Sequence, residues 1–285
     1  MPELAYINGR FMPIEKAVVN VEDRGYQFGD AVYEFLESFN GHLFCLEEHL
    51  DRLENSLKSL YFPHVSRDKI RQATIEMLNK SGFDRTEIYI QISRGVQPRE
   101  HAFGDDLEVQ VVMTARDISN EVHEKIEKMA KVQTCRDFRW GLCNIKTVQL
   151  LPAVLALREA STKKLDDSIF ISDEGVVREA TSSNIFICRK NTVITHPLTS
   201  NILPGITRAV VLKLCNDLNI QTEERFYHTD ELYAADEAFL TATVMGIMPI
   251  SEIDGHSVAD VNPGPLTVEL SKVLNQRRCE VDFRL

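Results

Sequence analysis

Short apolar runs, each cut off by turn residues, dominate this chain and most narrow what it can fold into. Ala31–Phe39 alternates and stops at Asn40-Gly41; Ile88–Ile92 and Val109–Met113 follow. Later, Ser168–Ile171 stops at Asp173-Glu174-Gly175, while Asn184–Cys188 and Thr192–Thr195 flank Arg189-Lys190-Asn191. Ala238–Thr243 and Ile250–Ile253 close the series. Near the start, Ala5–Phe11 is expected to be a hairpin turning on Asn8-Gly9, Val18–Val21 a short strand, and Glu22–Asp30 a charged, glycine-containing loop.

Helices interrupt the strands. Leu46, Leu50, Leu53, Leu57 and Leu60 recur at helical spacing, and Ser66–Lys80 is a second helix with Ser66 as its N-cap. Leu150–Lys164 carries Pro152 in its first turn, where proline is tolerated. Leu203-Pro204-Gly205-Ile206-Thr207-Arg208 opens a helix to about Leu218, and a last helix runs from near Pro265 toward Arg277. This mixture predicts an α+β or α/β chain. Its 285 residues are long enough for two domains. The polar stretch Arg116–Met129, with a short helix, marks the boundary. The expected division is an N-terminal α/β domain over 1–116, a connector over 117–131, and a C-terminal domain over 132–285 that carries Lys146.

Charge and composition exclude several classes. A net charge of −11 argues against a nucleic-acid surface. No apolar run approaches the roughly 20 residues of a membrane span, and Met1-Pro2-Glu3-Leu4-Ala5 has no signal-peptide pattern. The six cysteines, Cys45, Cys135, Cys143, Cys188, Cys215 and Cys279, include no CxxC pair, so neither a zinc site nor a disulfide framework is expected, and a reducing cytoplasm fits. His49, His101, His123 and His196 are scattered, which gives no metal site. A dinucleotide fingerprint and a nucleotide P-loop are both absent.

Some residues carry two readings. Lys146, between Ile145 and Thr147, is either a desolvated amine able to condense with an aldehyde or a lysine whose ammonium returns to water. Arg52, beside the leucine stripe, is either a surface ion pair or an anion site. The segment Arg94–Ala102 is either a solvated loop or a carboxylate trap built on arginine and histidine. Gly205 and Thr207 open either an ordinary capped helix or a phosphate site.

Taken in order, these pieces resemble one family. They are Asp23-Arg24-Gly25, Phe28-Gly29-Asp30, Val32-Tyr33-Glu34, Glu48-His49-Leu50-Asp51-Arg52-Leu53, Asn144-Ile145-Lys146, Glu179–Phe186 and Leu203–Arg208. From about Tyr6 to about Ile253 the chain resembles fold-type IV pyridoxal 5′-phosphate enzymes, a two-domain family with its cofactor cleft between the domains. The resemblance implies that Lys146 is the Schiff-base lysine and that Glu179 faces the pyridine nitrogen. It implies that Arg52, Ile206, Thr207 and Thr243 hold the phosphate, with Ser182 also on the cofactor. Tyr33, Arg99, His101 and Ser183 match the substrate residues of the D-amino acid aminotransferase branch, in which the Arg-x-His loop comes from the neighbouring subunit. Arg139-Trp140 and Ser182-Ser183-Asn184 match that branch as well. Ala242 and Val244 stand where that branch has hydroxyl residues, and Ala180-Thr181 replaces a Gly-Ser pair, which puts one phosphate or substrate contact in doubt.

The implied activity is transfer of the amino group of a D-alanine-like D-amino acid to a 2-oxoglutarate-like 2-oxo acid by a cytoplasmic homodimer, without metal, nucleic acid or membrane. Three alternatives stay open on the same scaffold: a branched-chain L-amino acid aminotransferase, an aminodeoxychorismate lyase, and a cofactor-binding protein without turnover.

Overall fold

Asn8 and Gly9 both adopt positive φ and turn the chain between β1 (Leu4–Ile7) and β2 (Arg10–Pro13), the conformation that a two-residue hairpin demands. The computed structural model describes residues 3–104, 106–119, 128–258, 263–280, 283 and 285. It divides into two units: one holds Met1–Glu121 with Ile145–Gln149, the other Val122–Asn144 with Leu150–Phe283. The expected short helix between Arg116 and Met129, and His123, fall largely on 120–127, outside the described residues.

The first unit is built on a six-stranded sheet ordered β2-β1-β6-β5-β3-β4. Here β3 is Ala31–Phe39, β4 His42–Leu43, β5 Thr86–Ser93 and β6 Gln110–Asp117. The two-residue period of β3 puts Val32, Glu34, Leu36 and Ser38 on one buried face. Helix α2 (Leu46–Ser59) packs against β3 and buries His49, Arg52 and Ser56 alongside Leu50, Leu53 and Leu57. Helix α3 (Arg67–Ser81) starts where expected, with the Ser66 hydroxyl accepting from Lys69 N.

Two local expectations change. Val18–Val21 pairs with no strand among the described residues, and Val18, Val19 and Val21 are exposed. An apolar run without a facing strand has nothing to bury against. The segment expected as a loop contains a short helix, α1 (Arg24–Phe28), because Asp23 Oδ1 accepts from the backbone N–H groups of Gly25 and Tyr26.

The placement of Lys146 also differs from the expected division. Ile145–Gln149 belongs to the first unit, not with residues 132–285. Backbone hydrogen bonds along the start of β3 decide this: Tyr33 N donates to Lys146 O at 2.9 Å and Val148 N to Ala31 O at 3.1 Å, with a bridge between Val32 and Thr147.

In the second unit, β7 (Ala130–Arg136), helix α4 (Leu151–Thr162) and β8 (Asp167–Ile171) form a parallel crossover. The sheet path runs β12-β11-β10-β13-β14-β7-β8-β9, and β9 (Val177–Ala180) pairs again with β10 (Asn184–Arg189) at Glu179–Asn184. That last pairing closes six strands on themselves. Ile169, Val177, Ile185, Ile187, Leu240 and Ile250 are core residues of this unit. The other strands are β11 (Thr192–Thr195), β12 (Gln221–Glu224), β13 (Glu237–Ala242), β14 (Gly246–Ile253) and β15 (His256–Ser257). Helices α5 (Ile206–Asp217), α6 (Thr229–Tyr233) and α7 (Pro265–Arg278) complete the unit. Strands β9 and β12 and helix α6 carry no periodic apolar signal, and the sequence expectation includes none of them, nor β15, nor β7, although Ala130 and Val132 alternate with Lys131 and Gln133.

Candidate active site

In the first unit, the lysine segment is pinned by its own backbone. Lys146 N donates to Ser56 Oγ on α2 at 3.3 Å, and Lys146 O accepts from Tyr33 N. Ile145 and Thr147 are buried on either side, while Lys146 itself is half-buried. Its Nζ stands 4.1 Å from the centre of the Tyr33 ring. A backbone held at neighbouring points, with the side chain half-buried against the Tyr33 ring, directs the lysine.

Arg52 is not a surface residue. It is 7% exposed, and it grips Glu34 in a bidentate pair, Nε to Oε1 at 2.7 Å and Nη2 to Oε2 at 2.8 Å. His49 Nδ1 lies 2.7 Å from the same Glu34 Oε2. Burial alone would push the Glu34 carboxyl up, but the Arg52 guanidinium, helped by His49, holds it well below the usual carboxylate range. Burial lowers the His49 pKa, against the pull of Glu34. Glu34 thus fixes the plane and position of the Arg52 guanidinium.

In the second unit, Glu179 is buried, and each oxygen has a partner. Oε1 accepts from Arg139 Nη1 at 2.5 Å; Oε2 accepts from Asn184 Nδ2 and from Leu203 N, both at 3.0 Å. Burial pushes this carboxyl up to about 7, against the opposing charge of Arg139. Arg139 is set in turn by Asp137, whose Oδ2 also takes Arg178 Nη1 at 2.6 Å. Asn184 Nδ2 also donates to Leu203 O at 2.9 Å.

Gly205 is the N-cap of α5 and supplies no side-chain cap, so the first-turn N–H groups of Ile206 and Thr207 meet no capping side chain. A Cβ at Gly205 would stand 2.1 Å from Asn184 Oδ1, so any larger residue there must displace the Asn184 side chain. Thr207 is buried. Thr243 lies in the turn between β13 and β14, and its carbonyl accepts from the buried Arg278 guanidinium of α7. Ser182 is exposed at the tip of a turn; Ser183 is buried, its carbonyl accepting from Ala180 N at 2.8 Å. Asp167 shapes that turn by accepting from Thr181 N and Oγ1.

The substrate candidates separate. Tyr33 faces Lys146, whereas Arg99 and His101 stand on an exposed loop against Phe28. Among the described residues no hydrogen bond or ring contact joins Arg99 or His101 to Tyr33 or Lys146.

From the sequence alone, Glu34, His49, Asp137, Asp167 and Arg278 carry no assigned role. A glutamate on the apolar face of β3, and His49 three residues before Arg52 on one helix face, are signals that would have found the buried triad. Nothing local marks Arg278.

The chain matches the family model described as amino-transferase class IV over residues 31–253. It is 37% identical to a D-alanine aminotransferase of Bacillus licheniformis, covering 94% of each chain. It is 36% identical to that of Listeria innocua, covering 93% of this chain and 92% of the relative. A branched-chain amino acid aminotransferase of Thermobaculum terrenum, solved in its PLP form, superposes with a TM-score of 0.88 at 29% identity, covering 99% of this chain and 96% of that one. A buried acid, an anchored lysine and a helix start kept open by glycine sit on a backbone shared with these enzymes, and the chain belongs to the class IV aminotransferases.

Proposed function

We propose that this protein is a pyridoxal 5′-phosphate-dependent transaminase that moves the amino group of a D-alanine-like D-amino acid to a 2-oxoglutarate-like 2-oxo acid in two half-reactions. The observation that carries the reading is the Lys146 amine, held over the Tyr33 ring by a backbone bonded to β3 and α2.

The residues present fit the cofactor. Glu179 is a buried acid whose proton affinity is raised, suited to face a ring nitrogen, and the start of α5 is an uncapped set of donors. When bound, pyridoxal phosphate supplies an electron sink for the carbanion left as the substrate α-proton departs. Lys146 would hold the aldehyde carbon and, once released by substrate, take the proton from Cα and deliver it to C4′. Glu179 would keep the pyridine nitrogen protonated. Arg52, the Ile206 and Thr207 N–H groups, the Thr207 hydroxyl and Thr243 would hold the phosphate dianion, with Ser182 also on the cofactor. Tyr33, Arg99, His101 and Ser183 would bind substrate, the α-carboxylate falling to the first three. That sets which face of Cα carries hydrogen and selects the D-configuration.

A homodimer belongs to the same reading. Helix α4 buries only Ala156 and Ala160, while Leu151, Val154, Leu155 and Leu157 are exposed. An apolar face of that kind suits contact with a second copy. We place the protein in the cytoplasm; among the described residues no helix is long and apolar enough to cross a membrane.

The test is an absorption spectrum of the purified protein with D- or L-alanine, followed by product analysis. D-alanine alone should bleach the cofactor band and 2-oxoglutarate should restore it; the two together should yield pyruvate and D-glutamate, with L-alanine inert and Lys146→Ala inactive. Faster turnover of L-branched substrates would assign it to the branched-chain enzymes. Pyruvate release without an amino acceptor would assign it to the lyases. A chromophore that answers no amino acid would mark a binding protein.

A further inference from the structure

Arg24 is an arginine that the proposed chemistry leaves unused, yet it is almost wholly buried. Its Nε donates to Asp30 Oδ2 at 2.9 Å, and the same oxygen takes Arg94 Nε at 2.8 Å. Arg94 spends its other donors on Tyr61 O and Leu60 O, which anchors the pair to the turn after α2. The two remaining ends of the Arg24 guanidinium reach the Arg99 loop. Nη1 donates to Glu100 O at 2.7 Å and Nη2 to His101 O at 3.1 Å. Arginine's planar fork suits two carbonyls at once.

The side chains of the loop are seated on the same helix. Phe28, at the end of α1, has the Arg24 Cζ 4.8 Å, the Arg99 Cζ 4.6 Å and the His101 ring 5.6 Å from its ring centre. The loop adds its own brace: Gln97 Nε2 donates to Ala102 O at 2.8 Å and Gln97 Oε1 accepts from Gly104 N at 3.3 Å. An exposed loop is thus gripped by its backbone on a buried ion pair and by its side chains on one aromatic face.

We infer that Arg24 is a positioning residue for substrate specificity, with Phe28 as its platform: together they present Arg99 and His101 to the substrate α-carboxylate. This rests on the carboxylate-trap role proposed above. Arg24 acts on the loop of its own chain, whichever protomer's substrate that loop meets. A trap displaced by about 1 Å loses its hydrogen bonds while the cofactor site is untouched.

The test compares the holoenzyme with its Arg24→Met, Phe28→Leu and Arg99→Ala variants on D-alanine and on D-alaninamide, which lacks the carboxylate charge. Arg24→Met should raise KM for D-alanine about tenfold with kcat within about twofold, and leave kcat/KM for D-alaninamide unchanged. Phe28→Leu, which keeps Arg24, Asp30 and Arg94, should shift the same ratio in the same direction and stands in if Arg24→Met does not fold. Loss of both substrates alike would make Arg24 merely structural and overturn the inference. So would unchanged discrimination in Arg24→Met, or in Phe28→Leu where that variant stands in, while Arg99→Ala collapses it. If Arg99→Ala itself changes nothing, the carboxylate-trap reading fails first and takes the inference with it.

Discussion

Arg139 Nη1 lies 2.5 Å from Glu179 Oε1, so a buried acid whose proton affinity is raised by its surroundings has a fixed cation at one oxygen. The two act in opposite senses. Burial favours the neutral acid, and the guanidinium favours the carboxylate. Burial outweighs the guanidinium, so the acid holds its proton more tightly than a solvated glutamate does.

Because the folded pKa of Glu179 rises from 4.5 to about 7, the folded state holds this proton more tightly than the unfolded chain does. Its contribution to stability is fully present below pH 4.5 and is lost as pH rises through about 7. Thermal melts of the cofactor-free protein across that window should slope downward with pH through this group. Glu179→Gln should remove that share of the slope, and an unchanged slope would contradict the assignment.

Glu34 titrates in the other direction. Its folded carboxyl is held low by Arg52 and His49, so its contribution is present above the ordinary value of 4.5 and is lost as pH falls toward the folded value. Glu34→Gln leaves a buried guanidinium without its countercharge, a loss of about 3–5 kcal/mol for a broken buried pair. Chemical unfolding at neutral pH should show that loss, and the gap from the parent protein should narrow in acid. Cofactor affinity should fall as well, since Arg52 loses the partner that orients it.

Gly205→Ala tests the link between the acid and the start of α5. The backbone there, φ −66°, is open to any residue, so the new Cβ acts only by collision with Asn184 Oδ1. Asn184 would move and release Glu179 Oε2 and Leu203 O. We expect cofactor affinity to drop about tenfold, one hydrogen-bond's worth or more. The double variant Asn184→Ala with Gly205→Ala should show a penalty well below the sum of the two single ones, read from absorbance titrations.

Much of this was legible in the chain before folding. The leucines of α2, the strand runs of β3, β5, β8, β10, β13 and β14, and the Ser66 cap are local patterns, and periodicity or a single side chain suffices to read them. The ordered motifs around Lys146, Glu179 and Gly205 named the family. Strand β9, Val177-Arg178-Glu179-Ala180, has no apolar alternation of its own, and its place is decided by pairing with β8 and with Asn184 of β10.

The condition of each functional group depended on tertiary structure alone. By spacing, Arg52 reads as either a surface ion pair or an anion site; it is buried because β3 places Glu34 beneath it. The sequence names Glu179 as an acid, but its pKa comes from burial and from Arg139, 40 residues away in the chain. Arg24 reaches the Arg99 loop across 76 residues to Glu100. Protonation and orientation follow from desolvation and from donors brought in over such distances, and no local window of sequence contains either.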